Sequence, residues 1–199
     1  MNRRSGIESK KRILDAAMVV FSRQGYAKAN IREIAKVAGI SVGGVYLYFK
    51  NKEELYLSFI KDGMNDMMRK TEMIVESHRS PIRALYDFLK VHINSAIKHR
   101  ELILVHVREL GFTFALEHKR QYMRNQLRLV EKIIDRGIRT GEFRRCNVKE
   151  VAKIIMGTVR SVMLSMAMDK DVIVTTKGLH DLILNGLLRN NNQLADNRR

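Results

Sequence analysis

Residues 31–52 read IREIAKVAGISVGGVYLYFKNK, and this stretch decides the fold. Four apolar residues recur at helical spacing and predict a first helix with one apolar face: Ile31, Ile34, Ala35 and Ala38. Gly39 should end that helix, because glycine enters the left-handed conformation without strain. The Ser41 hydroxyl can then cap a second helix. A helix, a glycine-containing turn and a second helix form a helix-turn-helix, which places its second helix in the DNA major groove.

The rest of the chain also reads as helix, since 199 residues include only 12 glycines and one proline. Three Asn-x-x-Glu patterns predict capping boxes: Asn30 with Glu33, Asn51 with Glu54, and Asn147 with Glu150. The helices expected outside the opening stretch are Glu8–Gln24, Lys52–Ser77, Pro81–His99, Glu101–Leu110, Leu116–Thr140, Val148–Ala167 and Thr176–Leu188. No convincing strand pattern occurs, and we expect the polar segment Asn190–Arg199 to be disordered. The fold class predicted is all-α.

The chain is strongly basic, with a formal net charge of +16. Residues 1–50 contain ten basic and three acidic side chains, so this quarter carries +7 and is more densely charged than the remainder. A basic surface attracts the phosphate backbone of DNA and accelerates association with it. The charge alone is weak evidence, because many basic proteins bind no nucleic acid.

The sequence gives no sign of an enzyme, a metal site or a cofactor. No nucleophile–base constellation, metal-ligand spacing or phosphate-binding glycine loop is present, and the six histidines are scattered. Cys146 is the only cysteine, which fits a reducing cytoplasm. The N-terminus does not resemble a signal peptide. Val151–Met168 contains Lys153 and Arg160, so we do not expect it to span a membrane.

The N-terminal quarter resembles the DNA-binding domain of the TetR family of bacterial transcriptional regulators. The resemblance runs from KRILDAA at 11–17, through Phe21 and Gly25-Tyr26, to YFKNKEEL at 48–55. It implies a three-helix DNA-binding domain over 1–52 and a helical effector-binding and dimerisation domain over 53–199. Beyond Leu55 the likeness is one of architecture and length only.

The DNA-binding residues follow from the motif and from the resemblance. The first turn of the recognition helix should enter the groove, and two glycines there remove side chains that would hold it away: Ser41, Val42, Gly43 and Gly44. By resemblance, the backbone-contacting positions are Arg32, Tyr46, Tyr48 and Lys52. Val42 departs from the polar residue common in the family; it can touch a thymine methyl but cannot hydrogen-bond a base.

By resemblance, the second domain contains an effector pocket. The candidate lining is apolar or aromatic: Phe59, Met64, Met67, Met68, Phe88, Leu89, His92, Phe112, Phe114, Tyr122, Met123 and Val130. Methionine thioethers adapt to varied apolar shapes. For any single one of these residues, ordinary helix-bundle core is the favoured interpretation, because apolar helix stripes normally form core.

A basic stripe repeats every four residues and so shares one helix face: Arg120, Arg124, Arg128, Lys132 and Arg136. A plain solvated face is the favoured interpretation of this stripe. The alternative is a receptor for an anionic headgroup, such as the phosphates of coenzyme A.

Dimerisation is expected through the last two helices. Small residues spaced by four, which permit close helix approach, mark the first of them: Gly157, Ser161 and Ser165. Leu184 and Leu188 are the candidate contacts on the second. By resemblance, these helices pair with their copies in a four-helix bundle, and two half-sites favour a dimer.

The leading hypothesis is a dimeric, cytoplasmic repressor that a small apolar or amphipathic ligand releases from double-stranded operator DNA. Long-chain acyl-CoA is one candidate ligand, since the motif from 45 to 54 and the basic effector domain are similar to acyl-CoA-responsive regulators. The alternatives are a constitutive DNA-binding or architectural protein without an effector, and a multidrug-sensing repressor of efflux. We expect no membrane partner.

Overall fold

A computed structural model describes residues 3–100, 103–104 and 116–188. The described residues form helices and no strand, which confirms the predicted all-α class. The helices are α1 (Arg3–Lys28), α2 (Ile31–Ala38), α3 (Val42–Tyr46), α4 (Lys52–Ser77), α5 (Pro81–Lys98), α6 (Leu116–Arg139), α7 (Val148–Met168) and α8 (Thr176–Leu187). The predicted helix Glu101–Leu110 lies almost wholly outside the described residues, and Asn190–Arg199 lies outside them entirely.

The helix ends follow the local sequence signals. The side chains of Asn30, Asn51 and Asn147 accept hydrogen bonds from backbone N–H groups three residues later, at 2.9, 2.7 and 3.2 Å. All three predicted caps are therefore confirmed. Gly25 interrupts α1 with a φ of 81°, at the position where the sequence predicted the helix to end. Thr175 caps α8 in the same way through the N–H of Gly178.

The chain divides into two compact units, and the division falls inside α4. Described residues within 1–66 and 99–119 form one unit, and those within 67–98 and 120–199 form the other. The sequence predicted a domain over residues 1–52, and the first fifteen residues of α4, 52–66, cluster with it. The reason is packing, since Leu55 and Tyr56 are fully buried in the N-terminal core.

The N-terminal unit is organised around aromatic rings. Phe21 of α1 lies edge-on to Tyr56 of α4, with ring centroids 5.0 Å apart, and Tyr26 lies 5.0 Å from the same ring. Val45 and Phe49 project into this core from α3 and the turn after it. The recognition helix is thus anchored by two apolar side chains on one face.

The second unit has a larger aliphatic core. α5 packs against both α7 and α8. Its buried members include Leu85, Phe88 and Leu89 of α5, with Val130, Ile133 and Ile134 of α6. The Phe143 ring belongs to this core and packs against Gly137. A Cβ added at Gly137 would lie only 2.1 Å from that ring.

Among the described residues, α7 is long and apolar enough to cross a membrane by length and composition alone. Lys153 and Arg160 do not take it below that threshold, and the expectation that it does not span a membrane stays a prediction. The finding is weak evidence for a membrane, because core helices of soluble proteins pass the same test.

Candidate functional site

The glycine turn sets the start of the recognition helix. Gly39 adopts a left-handed conformation with a φ of 62°, and its N–H donates to the carbonyls of Ala35 and Lys36. Ser41 then caps α3, its Oγ accepting from the N–H of Gly44 at 3.0 Å. The helix that follows is only five residues long, so it depends on the neighbouring helices for stability.

A basic side chain of α1 satisfies the carbonyl end of α2. Arg12 Nη2 donates to the carbonyls of Ala38 at 2.6 Å and Gly39 at 3.2 Å. At the other end of α2, the Glu33 carboxylate accepts from Gln24 Nε2 at 2.6 Å. Carbonyl groups in the last turn of a helix have no partner within the helix, so these contacts fix α2 against α1.

Lys52 performs the same task for α1. Its ammonium group donates to the carbonyls of Tyr26 at 2.8 Å, Ala27 at 3.2 Å and Ala29 at 3.1 Å. It also lies 4.4 Å from the centroid of the Tyr26 ring. An ammonium has three N–H donors, so protein carbonyls occupy all of them. The predicted phosphate contact of Lys52 stays a prediction, and these hydrogen bonds give the residue a positioning role within the unit.

The outer face of the recognition segment is apolar. Val42, Tyr46 and Leu47 are 37%, 51% and 75% exposed, and no charged residue occurs between 37 and 49. Leu47 was not predicted from the sequence, because only polar groups were sought as base readers. Its position on the helix differs from that of the buried residues Val45 and Phe49, and this difference was the available signal. The apolar group available in the major groove is the thymine methyl, which such side chains can contact.

The two glycines of α3 have different roles. A Cβ added at Gly43 would meet nothing within 4 Å, whereas one at Gly44 would lie 2.6 Å from Ile40 Cγ2. Gly44 is therefore required by packing within the protein. Gly43 is exposed, and packing within the protein does not require a glycine there. Close approach of a partner would explain why this position lacks a side chain.

The backbone-contact positions predicted by resemblance are placed differently from one another. Arg32 is exposed on the first turn of α2 and Tyr46 is exposed on α3, so both can reach a phosphate. The Tyr48 hydroxyl is buried and has no hydrogen-bond partner within the described part of the chain. It lies 3.8 Å from the position of a Cβ added at Gly6. Tyr48 would have to turn outward to contact DNA.

The described members of the predicted effector-binding set are divided between the two units. Phe88, Leu89 and Val130 are fully buried in the core of the second unit, and Met68 and Met123 pack against it. Phe59 instead packs against the core of the N-terminal unit, to which Met64 also belongs. Met67 and Tyr122 are half-buried, and burial raises the pKa of the Tyr122 hydroxyl. Phe112 and Phe114 lie outside the described residues.

Sequence reasoning missed two buried polar residues in the second unit. Thr71 of α4 and Gln126 of α6 are both fully buried, and Gln126 Nε2 donates to Thr71 Oγ1 at 3.0 Å. The available signal was the position of Gln126, three residues before Leu129 and four before Val130. This spacing places it on the apolar side of its helix.

The basic stripe on α6 is mostly exposed. Arg120, Arg124, Arg128 and Lys132 all lie at the surface. Arg136 differs, because it is half-buried and its Nη1 donates to the Val75 carbonyl at 3.1 Å. Four of the five cations thus remain on one exposed face.

The predicted dimer positions are also divided. Gly157, Ser161 and Ser165 are exposed or half-exposed on α7, and a Cβ at Gly157 would meet nothing within 4 Å. Leu184 packs against the chain's own core, and Leu188 forms an isolated backbone bridge with Phe143. Leu182, which is 71% exposed, and Gly186 face outward on α8, as do Lys177, Gly178, Asp181 and Asn185.

A shallow cavity of about 320 Å³ opens at the start of α5. Its lining includes Arg83, Tyr86 and His180. Of the predicted effector-binding residues that the structure describes, none contributes to it.

Known families match both parts of the chain. The family described as bacterial regulatory proteins, tetR family, matches residues 13–59, and the tetracyclin repressor-like C-terminal domain matches residues 78–164. The uncharacterized HTH-type transcriptional regulator YhgD of Bacillus subtilis (strain 168) is 31% identical over 75% of this chain and 80% of its own. The chain belongs to the TetR family of bacterial regulatory proteins. It is a DNA-binding transcriptional regulator and not an enzyme.

Two further likenesses extend along almost the whole chain. The fatty acid metabolism regulator protein of Bacillus subtilis (strain 168) is 26% identical over 88% of this chain and 93% of its own. The transcriptional regulator FadR from Bacillus subtilis, solved in complex with stearoyl-CoA, shares the fold with a TM-score of 0.73 and 24% identity. That structure matches over 88% of this chain and 98% of its own. The shared fold therefore extends beyond the helix-turn-helix into the second unit.

Replacing Lys52 by Met should lower the thermal unfolding midpoint and the DNA affinity, because three carbonyls lose their donor. The slope of log K against log salt should not change, since no phosphate contact is lost. Arg32→Met is the matched control and should make the slope shallower by about 0.9. DNA binding measured by fluorescence anisotropy over a salt series checks both. A shallower slope for Lys52→Met would mean that Lys52 does contact a DNA phosphate.

The two glycines of α3 should respond in opposite ways to alanine. Gly43→Ala should stabilise the protein by up to about 1 kcal/mol, the helix-propensity gain, yet weaken operator binding by about tenfold, equivalent to ~1.4 kcal/mol. Gly44→Ala should destabilise it by about 1–3 kcal/mol through overpacking against Ile40. Urea unfolding and operator titration measure the two effects. Wild-type affinity in Gly43→Ala would mean that this turn does not approach DNA.

Proposed function

We propose that the protein is a dimeric, cytoplasmic repressor that leaves its operator when an amphipathic ligand binds to the second unit. Long-chain acyl-CoA is the ligand class we favour. Operator DNA is read by the exposed face of α3, and Arg32 and Tyr46 contact the phosphate backbone.

The observation that carries the ligand class is the extent of the match to the fatty acid metabolism regulator protein. The matched region covers 93% of that protein, so it includes the effector-binding part and not only the helix-turn-helix. The FadR structure that holds stearoyl-CoA has the same fold along 98% of its chain. A ligand of this class has an apolar tail and a phosphate-rich headgroup.

The charge of the second unit is compatible with such a headgroup. Arg128 and Lys132 are exposed on the α6 stripe, in a chain with a net charge of +16. A cationic drug-like ligand gains nothing from this surface. The apolar tail can lie against the large aliphatic core of the second unit. Met68 and Met123 pack against that core.

The outer faces of α7 and α8 support a dimer. Ile154, which is 60% exposed, Gly157, Ser161, Ser165 and Met168 lie along one face of α7 at spacings of three and four. On α8, Leu182 and Gly186 are one turn apart and both exposed. Small and apolar residues on an exposed helix face permit close packing against a second copy. Two helix-turn-helix units are then available for two half-sites.

α4 supplies a route from ligand to DNA. It begins with Lys52, whose hydrogen bonds lie in the N-terminal unit, and ends at Ser77 in the second unit. A ligand that shifts α4 would change the separation of the two recognition helices. Half-sites require a spacing of about 34–36 Å or a multiple of it, so a change of a few ångströms breaks simultaneous contact.

Ser161→Arg should convert the dimer to a monomer, because it places a long cation on the proposed pairing face. Asn94→Arg adds the same side chain at an exposed position of α5 and should leave the dimer intact. Light scattering measures both masses. A dimeric Ser161→Arg protein, or a monomeric wild type, would contradict the assignment.

Stearoyl-CoA should lower the affinity of the protein for operator by about 5–150-fold, the usual range of allosteric coupling. Linkage then requires operator to weaken stearoyl-CoA binding by the same factor. Titrations of stearoyl-CoA, stearate and a cationic dye, each with and without operator, measure the coupling. If stearoyl-CoA binds equally well in both conditions or not at all, and no other compound couples to DNA, the constitutive alternative is the better account.

A further inference from the structure

The core of the second unit contains two buried hydrogen-bond acceptors that have no donor among the residues that the structure describes. They are Gln126 Oε1 of α6 and His92 Nε2 of α5, both buried and without a hydrogen-bond partner within the described part of the chain. Gln126 is 0% and His92 3% exposed. Buried polar atoms normally have a partner, so each of these is a vacant position for a donor.

The neighbours of Gln126 fix which way its amide points. Thr71 Oγ1 lies 2.9 Å from the carbonyls of both Met67 and Met68. Carbonyl oxygens only accept, so the Thr71 proton is directed to them and Oγ1 must accept from Gln126 Nε2. The same amide nitrogen lies 3.6 Å from the Met68 sulfur, a weak acceptor. The amide nitrogen is therefore already hydrogen-bonded, and the amide oxygen is the atom of Gln126 that lacks a partner among the described residues.

The same reasoning fixes the tautomer of His92. Its Nδ1 lies 2.8 Å from the Phe88 carbonyl, so Nδ1 carries the proton. Burial lowers the pKa of His92, although the hydrogen bond to Phe88 opposes this in part, and the ring is neutral. Nε2 then presents a lone pair and no proton. Both unpartnered atoms are thus acceptors. Neither can hydrogen-bond to a carboxylate, because a carboxylate also only accepts.

The two acceptors border one continuous core. Phe88 and Ile93 of α5, on either side of His92, belong to the same buried cluster as Leu129 and Val130, the next turn after Gln126. Met68 and Met123 pack against that cluster. Hydrogen-bond acceptors beside adaptable apolar side chains suit a molecule that combines an apolar tail with donor groups.

We propose that Gln126 Oε1 and His92 Nε2 accept hydrogen bonds from N–H or O–H groups of the effector, and that Thr71 positions Gln126 for this. The inference rests on the proposed effector-binding function and narrows its chemistry. The ligand carries amide or hydroxyl donors next to its apolar tail, as the amide-containing arm of an acyl-CoA does. An ionised fatty acid does not satisfy these positions, because its carboxylate can only accept.

The test uses amphiphiles that share a tail and differ in donors. Dodecanol and dodecanamide carry donors, and N,N-dimethyldodecanamide carries none; stearoyl-CoA is the fourth probe. Binding to the full-length protein is measured by calorimetry. We expect the blocked amide to bind the wild type about tenfold more weakly than dodecanamide, as for loss of one buried hydrogen bond.

Gln126→Met removes the amide while keeping side-chain length, and Leu127→Met is its control on the next residue. Gln126→Met should bind the two amides with similar affinity, and Leu127→Met should still discriminate between them. Equal binding of both amides by the wild type, or stearoyl-CoA binding that Gln126→Met leaves unchanged, overturns this inference but not the effector-binding function. If none of the four probes binds the wild type, both fail. Should Gln126→Met not fold, the wild-type series decides alone.

Discussion

The DNA-binding unit depends on two long basic side chains that hydrogen-bond to backbone carbonyls at helix ends. Arg12 reaches from α1 to the end of α2, and Lys52 reaches from α4 to the end of α1. Carbonyls at a helix end have no partner within their helix, so each unsatisfied group would cost free energy if buried. These contacts join α1 to α2 and α4, and Val45 and Phe49 attach the five-residue α3 to the core that the joined helices form.

This arrangement explains how a basic protein can present an uncharged recognition helix. Arg12 and Lys52 are used inside the unit, and Arg32 lies outside on α2. Val42, Gly43 and Leu47 are then exposed in a stretch, 37–49, that contains no charged residue. Affinity would come from backbone phosphates contacted by α2, and sequence preference from shape and apolar contact in the groove.

Local features of the fold were predictable from the sequence, whereas contacts between distant residues were not. The caps at Asn30, Asn51 and Asn147 involve residues three apart, and the sequence alone predicts them. The partners of Arg12 and Lys52 lie some 26 residues away, so the sequence did not predict these contacts, and Lys52 was predicted to contact a DNA phosphate instead. The burial of Gln126 against Thr71 spans 55 residues and was missed for the same reason. Leu184 was expected on the pairing face but packs inward, because it lies about half a helical turn from the exposed Leu182.

We infer that the apolar outer face of residues 42–47, of which Leu47 is the most exposed apolar member, reads the operator. The most direct measurement replaces each thymine of a selected operator in turn by uracil, which lacks only the methyl group. At one or more positions in each half-site, wild-type affinity should fall by about fourfold, the equivalent of the ~0.8 kcal/mol for one buried methyl-sized group. A Leu47→Ala protein should lose that sensitivity at one of those positions. Equal binding of every uracil-containing duplex by the wild type would contradict the account.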